Sequence, residues 1–327
     1  MKNLTDYIAE AYEYNYNISN VPKYTSAGTD KVGINKTNNK TNNKTNYTVQ
    51  PKNKDELMYI ITSTFKIKQY DLNFIDTSKI TDMSELFINI NHNFDVSKWD
   101  VSNVTNMSQM FYYCKNFDCD LSNWDVSNVK DMSYMFTYCF KFNCDLSTWD
   151  VSNVKNMAHI FHGCSIFIGK GLENWDVSNV TDMRFMFSGC DKFDCDLSRW
   201  DVSNVTYMNG IFSFCYKFEG KGLENWDVSA VNSMYAMFYN CKNFNADLSQ
   251  WDVSNVTDMK STFDGCSRFT GEGLEYWDVS KVKDMHRMFA DCDDFDCDLS
   301  NWNVSNTTNT RYMFAGCDNL TIPTWYS

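Results

Sequence analysis

The sequence predicts an α/β repeat solenoid of about ten rungs over residues 76–327, on three observations: a fixed tryptophan period, a recurring word, and a switch of apolar spacing within each repeat. Trp99, Trp124, Trp149, Trp175, Trp200, Trp226, Trp251, Trp277 and Trp302 follow one another at 25 or 26 residues. The word is clearest in Trp124 through Thr148, which reads W-D-V-S-N-V-K-D-M-S-Y-M-F-T-Y-C-F-K-F-N-C-D-L-S-T. A unit that short cannot bury an apolar face alone, so stacking neighbours must supply the core.

Within a unit, Leu121, Trp124 and Val126 alternate with polar residues and predict a short parallel strand. Val129, Met132, Met135, Phe136, Cys139 and Phe142 then fall at steps of three and four, which predicts a short helix or 3-10 segment. One strand and one helical segment per repeat is the plan of a leucine-rich-repeat coil. Before Trp175, Trp226 and Trp277 a Gly-x-Gly-Leu-Glu string adds one residue, a predicted bulged turn on almost every second rung.

Other segments precede the repeats. Residues 1–23 contain Leu4, Tyr7, Ile8, Ala11 and Tyr12 at helical spacing, a candidate amphipathic docking peptide. Residues 24–50, with Asn-Lys-Thr three times, predict a disordered linker. Residues 51–75 predict an N-terminal cap, with Asp55 and Glu56 opening a helix that carries Leu57, Ile60, Ile61 and Phe65.

The words Trp-Asp-Val-Ser-Asn-Val-Thr-Asp-Met and Met-Phe-x-x-Cys, with the entry Asp71 to Ser78, resemble the BspA-like leucine-rich-repeat group of bacterial surface proteins, over roughly residues 51–320. The mycoplasma-type lipoprotein repeat belongs to the same resemblance. It implies a right-handed solenoid, cell-surface attachment and a role in adhesion, and related repeats occur in virus and phage genomes. The N-terminus lacks the apolar core of an export signal, which favours a cytoplasmic or virion-associated location over the secretory route.

Charge narrows the partners. With 42 acids against 29 bases and a net charge of −13, phosphate-rich nucleic acid and anionic membrane surfaces are disfavoured, and no apolar run is long enough to span a bilayer. Cys114, Cys139, Cys164, Cys190, Cys215, Cys241, Cys266, Cys292 and Cys317 hold one repeat position and read, with the tryptophans, as a structural ladder of reduced thiols. Within-rung pairs such as Cys114 with Cys119 are the disulfide alternative. His159, His162 and Cys164 are too sparse for zinc, so no metal or cofactor is expected.

The row Asp100, Asp125, Asp150, Asp176, Asp201, Asp227, Asp252 and Asp278 is expected to be hydrogen-bonded, with cation binding the alternative; Asp131, Asp182, Asp258 and Asp284 are expected in a first helical turn. Four scattered histidines and no phosphate-cradling loop argue against catalysis. The expected function is a binding or adhesion scaffold for a protein or glycan. Its candidate contacts are the non-repeated positions Tyr112, Asn123, Tyr138, Thr148, Arg184, Arg199, Tyr235 and Gln250. The alternatives are a self-associating component of a virion or cell envelope, docked through its N-terminal peptide, and a calcium-dependent module.

Overall fold

The computed structural model describes residues 34–37 and 46–326, which lie in one compact unit, Ile34–Ser327. The candidate docking peptide 1–23, and residues 24–33 and 38–45 of the expected linker, fall outside the described residues. The rest of that linker is paired: β1 (Ile34–Thr37) and β2 (Asn46–Val49) run antiparallel, and Val49 bridges on to Ile75. Main-chain pairing needs no buried apolar face, so a polar composition did not prevent it.

Asp55 and Glu56 lie in the first turn of α1 (Lys54–Lys66). Asn53 accepts the Glu56 N–H at its start, and Leu57, Ile60 and Ile61 are buried. Phe65 carries the helix onto the first repeat through Phe87 and Phe94, with ring centroids 6.4 and 5.7 Å away.

Rungs are numbered here by the residue that opens their ladder, from Asp82 in rung 1 and Asn106 in rung 2 to Asn309 in rung 10. Between rungs 2 and 3 the N–H groups of Met107, Gln109, Phe111 and Tyr113 donate to the carbonyls of Asp131, Ser133, Met135 and Thr137 at 2.7 to 2.9 Å. The carbonyls sharing those peptide planes, on Asn106, Ser108, Met110 and Tyr112, accept from rung 1. Four planes per rung, three between rungs 6 and 7, therefore point one way along the stacking direction. One points the other way, through the Lys130 N–H to Thr105. Isolated parallel bridges mark every step of the ladder from Asp82 to Asn309 but one: the bridge is missing between Tyr207 and Ser233, which open rungs 6 and 7.

The expected strand and helix are not where the sequence put them. Leu121–Val126 is a string of tight turns, with Trp124 N–H donating to Leu121, and the predicted helical stretch Val129–Phe142 holds the ladder. The cause is the backbone of Tyr134 and Tyr138, both left-handed with φ near 59°, which breaks the helical coil every fourth residue and leaves single i→i+3 turns between. In the 26-residue rungs the extra residue makes a 3-10 turn (Leu172–Asn174, Leu223–Asn225 and Leu274–Tyr276), entered through a glycine at φ 90 to 92°. A Cβ on Gly171 would run into the Ser147 backbone, so that position admits no side chain.

The interior is a set of side-chain columns. Phenylalanines from Phe87 to Phe314 stack at 5.4 to 5.9 Å with planes within 13°. Each of the ten tryptophans donates its indole N–H to a carbonyl about one repeat earlier, as Trp124 does to Val96 and Trp149 to Leu121 at 3.1 Å. This satisfies the one polar atom that burial would otherwise strand.

Candidate functional site

Most of what the sequence offered as chemistry is spent on the fold. All nine ladder cysteines are buried, and each thiol points at the carbonyl of the phenylalanine column one rung earlier, Cys139 at Phe111 and Cys164 at Phe136. All thirteen cysteines are free thiols, and burial raises their pKa, that of Cys114 to about 12. Cys164 faces the core while His159 and His162 lie on the outer face; among the described residues no group of three His, Cys, Asp or Glu could hold a metal.

The aspartate row caps turns. Asp125 Oδ1 accepts the Ser127 N–H at 3.1 Å and its hydroxyl at 2.6 Å, which hold the carboxyl below the usual range; Ser203 does the same to Asp201. Asp131, Asp182, Asp258 and Asp284 open ladder rungs, not helices, and each accepts the N–H two residues on at 2.8 to 3.0 Å. Tyr207 offers no such acceptor, and the bridge to Ser233 after it is missing.

The outward side of the ladder is where rungs differ, and it changes character along its length. In rungs 2 to 5 it is aromatic. Tyr113 meets Tyr138 edge-on at 5.6 Å, the Tyr138 hydroxyl is 3.0 Å from His162 Nε2, and His159 stacks between Tyr134 at 4.4 Å and Phe185 at 5.0 Å. His159 and His162 are buried in this layer, which pushes both pKa values down, that of His162 to about 4. In rungs 8 and 9 it is ionic: buried Asp264 takes Arg287 Nε at 2.7 Å and Nη2 at 3.2 Å, and Arg287 also reaches Asp291 at 2.9 Å. Burial raises the Asp264 carboxyl despite that partner.

The eight candidate contacts divide between two places. Tyr112, Tyr138, Arg184 and Tyr235 lie on the ladder side. Tyr112 and Tyr138 meet at 6.4 Å, Arg184 covers the Tyr207 ring at 5.1 Å, and Lys260 covers Tyr235 at 5.7 Å. Asn123, Thr148, Arg199 and Gln250 sit in the turns before tryptophan. There the Thr148 hydroxyl donates to Ser122 O at 2.7 Å and Arg199 to Asn174 at 2.9 Å, so both brace adjacent rungs. Sequence reasoning missed Tyr113, Tyr134, Phe185 and Phe214; the available signal was glycine at the equivalent positions Gly163, Gly189 and Gly210.

The family description Mycoplasma protein of unknown function, DUF285, matches residues 55–170, 144–224, 161–272 and 241–325. The chain belongs to this family. Its overlapping matches make it a repeat protein, and the family itself carries no assigned activity. No curated protein and no solved structure matches the chain. No helix among the described residues is long and apolar enough to cross a membrane.

Proposed function

We propose that the protein is a non-enzymatic binding scaffold, a right-handed leucine-rich-repeat-like solenoid of the BspA-like type, whose ladder side in rungs 2 to 6 engages a protein or glycan partner. One observation carries this reading. Tyr113, Tyr134, Tyr138, Phe185 and Phe214 hold left-handed backbone, at φ between 53 and 61°, at the two positions per rung where other rungs place Gly163, Gly189 or Gly210. For an L-residue that conformation costs roughly 1 kcal/mol or more relative to glycine. Other rungs stack with glycine, Gln109, Ala236 or Ser261 there, so the left-handed backbone belongs to the repeat while the rings are not required by it.

The rings also lie where a partner would meet them. They share the ladder side with Arg184 and Tyr207, and Tyr and Arg are the side chains enriched at binding hot spots. Expected is that affinity capture from the native source recovers a partner with the wild-type chain and loses it with Tyr138→Gly and Phe185→Gly combined, while Asn123→Ala with Gln250→Ala retains it. Equal recovery by both variants would remove the ladder side as the binding surface.

A further inference from the structure

Beside the ladder, the two residues that follow each ladder cysteine form a corner running the length of the stack. Its charge is arranged by rung. Rungs 2 and 3 carry Lys115 and Lys141 there with no carboxylate, whereas rungs 9 and 10 carry Asp293, Asp294 and Asp318 with no cation. Lys141 and the three aspartates are exposed, and Lys115 is half-buried over the Tyr113 ring. Closer to the middle, rung 5 carries Asp191 with Lys192 beside it, and Lys242 stands at the Asp191 position in rung 7.

Rung 6, the centre of this pattern, holds Tyr216, 37% exposed, against Phe214 at 6.3 Å. Phe140 and Ile166, 38% and 42% exposed, lie on the same corner in rungs 3 and 4. The pattern is antisymmetric at its ends: Lys115 in rung 2 and Lys141 in rung 3 have aspartates at the same distance beyond rung 6, in rungs 10 and 9, while nearer the middle Lys192 and Arg268 have none. A surface with that property is complementary to itself after a half-turn, as a two-fold interface requires.

We propose that two copies of this chain associate side by side and antiparallel along this corner, about a two-fold axis at rung 6. Lys115 of one copy then faces Asp318 of the other, Lys141 faces Asp293 and Asp294, and Asp191 faces Lys242. The Tyr216 rings meet at the axis, and the Arg268 stem covers Ile166. Lys217, next to the axis, meets its own counterpart; it is exposed, and its long stem lets the charge turn to solvent. A parallel arrangement sets lysine on lysine and aspartate on aspartate, so charge selects one orientation. Nine rungs at roughly 4.8 Å make a strip about 40 Å long and one or two side chains wide, at the small end of specific interfaces, so the dimer is weak and salt-sensitive. This goes beyond the binding role of the ladder side and does not depend on it.

Sedimentation equilibrium of the purified full chain tests it, at about 0.1 M and about 1 M salt, where the screening length falls from roughly 10 Å to 3 Å. Expected is a monomer–dimer equilibrium weakened at least about tenfold by the higher salt. Lys115→Glu with Lys141→Glu should leave a monomer of unchanged circular dichroism. Adding Asp293→Lys, Asp294→Lys and Asp318→Lys should restore the dimer. Tyr216→Cys, at the axis, should cross-link on mild oxidation where the wild type does not. A wild-type chain that stays monomeric up to about 100 μM at the lower salt, well above a micromolar Kd, overturns the proposal. So does a dimer indifferent to the charge swaps, or a Tyr216→Cys chain that does not cross-link.

Discussion

Rungs 2 to 5 and rungs 8 and 9 share one interior and one ladder, yet their outward sides are held by different physics. The first group adds a second, aromatic layer around His159 and His162; the second adds an ion-pair cluster around Asp264. The contrast shows that the repeat word dictates what points in and leaves what points out unconstrained. The two layers also respond to different perturbations, which can be used to separate them.

The largest effect is expected in the ionic group. Arg287→Met leaves Asp264, 5% exposed at its side chain, without its cation, and should cost about 3 kcal/mol in urea unfolding at neutral pH. Protonating the carboxyl relieves that loss, so the deficit should shrink in acid. In the aromatic group, Gly163→Ala should cost roughly 1 to 3 kcal/mol, because φ is +75° and the new Cβ would lie 2.5 Å from Tyr138 Cδ1. Tyr138→Gly in the same chain should recover part of it, measured as a double-mutant cycle.

Acid sharpens the comparison. The native pKa of both histidines lies below the ordinary value near 6.5, so the unfolded chain takes up protons first as pH falls. Their neutral burial carries no penalty above about pH 6.5, and stability should decline from there toward about pH 4, where native His162 begins to protonate. His159→Phe with His162→Phe should flatten this slope in thermal melts across that range. The smallest effect is expected at Lys170 and Asp145, 2.8 Å apart on the surface. The pair lowers the Asp145 carboxyl to about 2, its first cause being the Lys170 hydrogen bond, yet Lys170→Ala should leave the melting temperature unchanged, since water screens it.

Much of this was legible before any coordinates. The tryptophan and cysteine columns could be read because each recurs at one position of a fixed period, and a side chain buried in one rung is buried in all. The location of strand and helix could not. Steps of three and four among Val129, Met132, Met135 and Phe136 describe an apolar helix face, but a string of i→i+3 turns has the same spacing. What separates the two is the sign of φ at Tyr134 and Tyr138, and nothing in a tyrosine side chain demands a positive one. Glycine at the same two positions in other rungs, at Gly163, Gly189, Gly210, Gly265 and Gly316, was the trace in the sequence. The binding candidates were half legible for a related reason: non-repeated residues mark the outside, but Thr148 and Arg199 are non-repeated and still bind neighbouring rungs.

The peptide planes that point one way along the stack, four at every step but one, against one that opposes them, give the ladder an electric polarity. A peptide dipole of about 3.5 D repeated every 5 Å or so leaves roughly 0.15 elementary charge at each end of a column, and about 0.4 for a net of three. The N–H end, slightly positive, lies toward rung 10, where the corner carries its aspartates; the carbonyl end lies toward rung 1, near its lysines. The backbone thus rewards in a single chain the same gradient of charge that would make two chains fit, much as a bar magnet's poles fix how a second magnet lies beside it.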